Sequence, residues 1–330
     1  MAKLNPIFSS HMVFQANKPI RIFGSGCGNI TVSFLGCAKH LQSTGDAWLL
    51  ELDAHDYGGP YTLTVILDGQ ETVLDDIYFG DVYLLGGQSN MQMKLNETNE
   101  PAENYKTNEN VRLFTVDRPE EGECLHSTDG WIPCTKEIAG EFPAIGYYVG
   151  TQLSGNAGHK IGLISCNQGG SVIQTWMPRH LFENDRFYVS DADKFADHFN
   201  FFWNSYGHLY ETMLSKVLPF PVKTVLWYQG EANSSVAEAA IYLDLLEAFI
   251  GNVRMELQDP SLPFIVVQLA DYAPWDGPGW RGIQKAQLQA QDAISNVCTV
   301  ICRDVCQTDD IHPKEKKLLS QRIADILLKI

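Results

Sequence analysis

Over the first 78 residues apolar and polar positions alternate in short runs. Ile20-Arg21-Ile22-Phe23, Ile30-Thr31-Val32-Ser33-Phe34, Trp48-Leu49-Leu50-Glu51-Leu52 and Tyr61-Thr62-Leu63-Thr64-Val65 are each bounded by Gly, Asn or Asp. A period of two between turn residues is the signature of half-buried strands. Short strands at this spacing predict a small sandwich or jelly roll. From residue 77 the pattern changes. Apolar runs without alternation recur at 111–116, 161–165, 222–228, 264–269 and 297–302. Between them lie segments with a helical repeat, clearest at Ile241, Leu245, Phe249 and Val253, and at Leu318, Leu319, Ile323, Ile326 and Leu327. Continuous apolar strands alternating with helices predict an α/β unit, a parallel sheet covered by helices. The expected organisation is an all-β, jelly-roll-like unit at 1–78 and an α/β unit at 79–330.

One junction in the second unit has chemistry written into it. The strand-like Val82-Tyr83-Leu84-Leu85 runs into Gly86-Gly87 and then Gln88-Ser89-Asn90-Met91. Glycines permit a sharp turn, and open α/β folds place their sites at the carboxyl ends of strands. Ser89 is thus a candidate nucleophile flanked by the polar Gln88 and Asn90. Serine needs a base, and the best candidate among nine histidines is His312, in Asp309-Asp310-Ile311-His312-Pro313, ahead of a helix-like segment at 314–330. An acid three residues before a histidine can lie beside it on a turn and hold the imidazole by Nδ1. Acyl transfer also needs donors for an oxyanion. Gly169-Gly170-Ser171 and Asn233, each following a strand-like run, can supply them.

These blocks together resemble the SGNH hydrolase superfamily and, within it, the sialate O-acetylesterase family. The resemblance is carried by Gly-Gln-Ser-Asn-Met at 87–91, Gly169-Gly170 followed by Trp176, Gln229-Gly230-Glu231-Ala232-Asn233, and Asp309 to Pro313. Met12-Val13-Phe14-Gln15 and Gly58-Gly59-Pro60-Tyr61-Thr62-Leu63 extend the likeness back to about Ile7. It implies a flavodoxin-like sheet with helices on both faces and a serine carbohydrate O-acetylesterase needing no metal or organic cofactor. Ser89 would be the nucleophile, His312 the base and Asp309 its orienter, with Asp310 as the other acid for that part, or neither acid where a Ser–His pair works alone. The oxyanion donors would be the Ser89 and Gly169 N–H groups and the Asn233 amide. Gln88, Trp176, Gln229 and Glu231 become candidate substrate contacts, and so does Trp280, in the Pro-, Gly- and Trp-rich stretch 271–280. The polar stretch 96–109, directly behind the nucleophile block, is expected to rim the site.

Composition narrows the partners. A net charge of −16 leaves no basic excess for nucleic acid and repels an anionic sugar at long range. No apolar run is long enough to span a membrane, and the amino terminus lacks a signal-like core, so a cytoplasmic protein with free thiols at its eight cysteines is expected. The even spacing of Cys298, Cys302 and Cys306 falls on a buried-strand pattern, which outweighs a metal reading. Three alternatives stand beside a sialate esterase: an acetylxylan or plant-oligosaccharide acetylesterase, a carbohydrate-binding protein with an inactive hydrolase unit, and a lipase or thioesterase. The last expects an apolar groove and fits the tryptophan-rich loops less well. The oligomeric state is not encoded in any pattern of the chain.

Overall fold

A computed structural model describes residues 1–119, 130–183, 187 and 201–330. The chain opens with eight strands: β1 (Lys3–Leu4), β2 (Val13–Gln15), β3 (Ile20–Ser25), β4 (Gly28–Phe34), β5 (Cys37–Ser43), β6 (Ala47–Leu52), β7 (Gly58–Leu67) and β8 (Gln70–Gly87). β4 and β6 bury every second side chain, as the sequence alternation requires. β1, β3 and β6 form one antiparallel sheet, while β4, β5 and β7 pair antiparallel and join β8 through β7.

The rest of the chain supplies α1 (Ser89–Gln92), β9 (Asn108–Thr115), β10 (Ile132–Cys134), α2 (Lys136–Ala139), α3 (Ala144–Ala157), β11 (Ile161–Asn167), α4 (His208–Thr212), β12 (Thr224–Tyr228), α5 (Val236–Glu256), β13 (Phe264–Val267), α6 (Pro278–Ala293), β14 (Val297–Val300) and α7 (Lys317–Leu327). The main sheet has the order β10-β9-β11-β8-β12-β13-β14. All neighbours along it are parallel except β10, which runs against β9 at the edge. The sheet is therefore mixed rather than purely parallel. Every residue of β11, β12 and β13 is buried, and since side chains alternate in direction both faces must be covered. Helix α3 packs on α7, and α5 on α6.

β8 is the spine of the molecule. Opposite Tyr61 to Leu63 of β7 it spends an extra residue between Leu74 and Ile77, and Asp76 there takes a φ of +53°. Such a bulge bends a strand. Before it β8 belongs to the amino-terminal strands; after it β8 lies beside β2 and then between β11 and β12. Asp76 is tied to His11 and Arg112. The boundary expected at 78/79 thus falls inside a strand, and the main hydrophobic cluster draws on residues from Ala2 to Leu327. Past β8 the chain builds β9 and β11 on one side and β12 to β14 on the other. The carboxyl end of β8 is a topological switch point, where a crevice opens.

Candidate active site

Ser89 begins α1 immediately beyond β8. Gly87 makes the turn possible: its φ is +133°, and a Cβ there would lie 2.1 Å from the Tyr228 carbonyl oxygen. The chain passes so close because the Gln88 N–H donates to that carbonyl at 3.0 Å, and the Gln168 N–H to the Gly87 carbonyl at 3.1 Å. Three strand ends, β8, β11 and β12, are thereby locked together under Ser89. His312 stands in the loop between β14 and α7, and its Nε2 lies 2.7 Å from Ser89 Oγ. Burial and the Lys316 ammonium hold the imidazole below its usual pKa, against the opposing pull of Asp310 and Glu97.

Both side chains open on a cavity of about 600 Å³ lined by Gln92, Met93, Asn96, Glu97, Thr98, Gly169, Asp310 and Lys314 as well. The stretch expected to rim the site does so through Asn96, Glu97 and Thr98. The Gly169 N–H is beside Ser89 and donates to Gln92 Oε1 at 2.6 Å. The Gly169 N–H is thus satisfied by a side chain of α1. The Ser89 N–H is at the first position of a helix, where no intrahelical acceptor exists.

Several expectations are corrected by this geometry. Asp309 is exposed and makes no hydrogen bond or ion pair with a described residue. The neighbouring acid Asp310 accepts from the His312 backbone N–H at 2.8 Å, not from the ring. That bond turns Asp310 towards the backbone of its own loop, as acids in short turns do. Asn233 is fully buried and its amide is spent. Its Oδ1 accepts from the Ile173 N–H at 2.9 Å and from Gln229 Nε2 at 2.8 Å. Its Nδ2 donates to Gln174 Oε1 at 2.8 Å and to Glu238 Oε2. It has no donor left for an oxyanion, nor is it the cap of α5, which is Ser235. Asn233→Ala is therefore expected to lower stability by about 3 kcal/mol, because buried partners are left unsatisfied. Denaturant midpoints test this. An unchanged midpoint with a large kcat loss would return Asn233 to the oxyanion hole.

None of the five candidate substrate contacts lines the cavity. Gln88 Oε1 accepts from Gln229 Nε2 and from the N–H groups of Gly230 and Ala232. Gln229 also donates to the Ser171 carbonyl. Trp176 is wholly buried, donating to Ser171 Oγ and packing edge-on against Trp227. Trp280 donates to the Ala270 carbonyl beneath Tyr272 and Trp275. Glu231 is 1% exposed and accepts from Asn90 Nδ2 at 2.6 Å; burial pushes its carboxyl up to about 7. These residues fasten the loops together rather than face a ligand.

Sequence reasoning passed over Lys316 and Gln92, and treated Asn90 only as a flank of Ser89. Lys316 is 1% exposed, and its Nζ donates to Asn90 Oδ1 at 2.6 Å. A signal for it exists: Lys316 precedes the buried stripe Leu319, Ser320, Ile323, Ala324 and Leu327 by one helical turn. Among the described residues no group of three His, Cys, Asp or Glu is placed to hold a metal. Among them also, no helix is long and apolar enough to cross a membrane. Seven cysteines are free thiols; Cys124 lies outside the described residues.

The family model described as "Carbohydrate esterase, sialic acid-specific acetylesterase" matches residues 79–329. A carbohydrate acetylesterase from Xanthomonas citri has a similar structure, with a TM-score of 0.84 and 30% identity, covering 98% of this chain and 74% of that one. Sialate O-acetylesterase of Rattus norvegicus is 23% identical over 92% of this chain and 68% of its own length. The Homo sapiens enzyme of that name is 26% identical over 86% of this chain and 60% of its own. A protein of Arabidopsis thaliana shares the fold at a TM-score of 0.53 and 20% identity, covering 76% of this chain and 98% of that one.

Proposed function

Since the chain belongs to the sialic acid-specific acetylesterase family of carbohydrate esterases, we propose that it removes O-acetyl groups from carbohydrates with Ser89 as nucleophile and His312 as base. The observation that carries this is the 2.7 Å contact between Ser89 Oγ and His312 Nε2 at the edge of an open cavity. Nε2 takes the Oγ proton as Oγ bonds to the acetyl carbon. The carbonyl electron pair moves to oxygen, and the Ser89 and Gly169 N–H groups are the donors nearest that charge. For Gly169 this means exchanging Gln92 Oε1 for the substrate oxygen. Collapse of the adduct expels the sugar oxygen, which takes the proton from Nε2 and leaves an acetyl-enzyme. Water, deprotonated by Nε2, attacks the acetyl carbon, and acetate leaves as Oγ regains its proton.

The sialate-directed relatives favour O-acetylated sialic acids as substrate. Lys314 is the one Lys or Arg among the described residues that line the cavity, which also include Glu97 and Asp310, so it is the group for a sialate carboxylate. The balance of charge in that lining also keeps acetylated xylan or plant oligosaccharides as a second reading. Acetate release from O-acetylated sialic acids and from acetylated xylo-oligosaccharides, run side by side, separates them. Faster turnover of the sialates is expected. Release from the xylo-oligosaccharides alone would overturn the sialate assignment but leave the esterase. No release from either, nor from p-nitrophenyl acetate, would favour a binding protein.

A further inference from the structure

A buried ammonium costs free energy unless it is paired, and Lys316 lies beneath the site without touching the cavity. Its Nζ donates to Asn90 Oδ1 and lies 5.6 Å from the centre of the Tyr228 ring. With its oxygen engaged, the Asn90 amide turns Nδ2 the other way, to Glu231 Oε1 at 2.6 Å and to the Ile311 carbonyl at 2.9 Å. Asn90 follows Ser89, and Ile311 precedes His312. One side chain therefore spans from the nucleophile's helix to the base's loop. His312 Nδ1, by contrast, has no hydrogen bond to a described residue, so no carboxylate among the described residues sets the ring.

Given the Ser89–His312 reading above, on which this rests, we propose that Lys316 is a positioning residue: through Asn90 it clamps the His312 loop onto the Ser89 turn, the orienting part that a carboxylate plays in a Ser-His-Asp triad. The chemistry of the amide explains why a cation is needed. An Asn offers an acceptor at one end and donors at the other. Lys316 draws Oδ1 while the Ile311 carbonyl and the Glu231 carboxylate draw Nδ2, so all three hold one orientation, and without Lys316 the buried Oδ1 loses its donor and the amide is held from one end only. Lys316 also acts on the ring by charge, since its ammonium favours neutral imidazole. Burial lowers Lys316 itself to about 8, against Cys306, Cys302, Glu231 and Asp310, which favour its charged form.

The test is a cycle in the full chain, with Lys316→Met, His312→Ala and the pair, read by acetate release. Lys316→Met should lower kcat by about 10²-fold, the order reached when reacting groups shift by an ångström, and leave KM little changed. Its acid limb in the pH profile should move upward, because a cation beside His312 is gone. In the His312→Ala background the same substitution should cost almost nothing, and Lys316→Arg should recover part of the loss. An equal loss in both backgrounds, a KM effect with kcat kept, or an unmoved acid limb would each reduce Lys316 to packing. Should Lys316→Met fail to fold, Asn90→Ala carries the same cycle on kcat and KM alone: a kcat loss that vanishes in the His312→Ala background supports the clamp, and an equal loss in both backgrounds reduces it to packing. Full activity in His312→Ala would instead overturn the functional reading, a result distinct from any of these.

Discussion

Ser89→Ala is expected to fold as the parent does and to lose about 10⁶ in kcat, the scale seen when a serine nucleophile is removed. Among the described residues Ser89 Oγ bonds to His312 alone, at the edge of the cavity. Deleting it orphans no buried group, so the melting temperature should barely change, with a stability difference within about 0.5 kcal/mol. The activity loss then isolates chemistry from folding. A serine-reactive phosphonate should label the parent at Ser89 and leave the variant unlabelled. Acetate release persisting in Ser89→Ala, or labelling at another serine, would remove Ser89 from the mechanism.

His312→Ala should cost a similar factor, and the parent enzyme should carry a pH signature of the same residue. Only neutral imidazole can take the Oγ proton. As pH falls through the pKa of the folded protein the ring is protonated and kcat/KM declines, tenfold per unit well below it. Burial and Lys316 depress that pKa from 6.5, so the inflection should lie below 6.5, with activity sustained to more acid pH than a free histidine would allow. A rate flat through the acid range, or an inflection above 6.5, would mean that another group is the base.

The elements that position these two residues were legible in the chain because their signals are local. Strand, glycine pair and serine at 82–89 specify a turn by backbone freedom alone. His312 follows an Asx-type acid in a short loop before an amphipathic helix. What the chain hid was the direction in which polar side chains point. Gln88, Gln229, Glu231 and Asn233 sit in motif positions beside the site and read as substrate contacts or, for Asn233, as an oxyanion donor, yet each is turned inward: Gln88, Gln229 and Asn233 meet backbone groups of neighbouring loops, and Glu231 meets the Asn90 amide. Loops packed between strand ends have N–H and C=O groups with no ladder to join, and buried amides are their partners. Spacing could not decide between Asp309 and Asp310, since it does not show that Asp310 meets the His312 backbone N–H while Asp309 faces solvent. The long β8 was hidden for a related reason. Asp75-Asp76 interrupts the apolar pattern as a turn would, whereas the structure absorbs it as a bulge with Asp76 between His11 and Arg112.

That unbroken strand bears on how the molecule can be cut. An expression fragment or fusion joint placed at residue 78 would sever a strand within a sheet rather than a tether between bodies. The catalytic half would lose the stretch of β8 that meets β7, and the amino-terminal half would lose the partner of β2. Each fragment would present a raw edge of unpaired amides, the template on which chains aggregate. The carbohydrate esterase is best treated as a single casting, and grafts or tags belong at its loop tips instead.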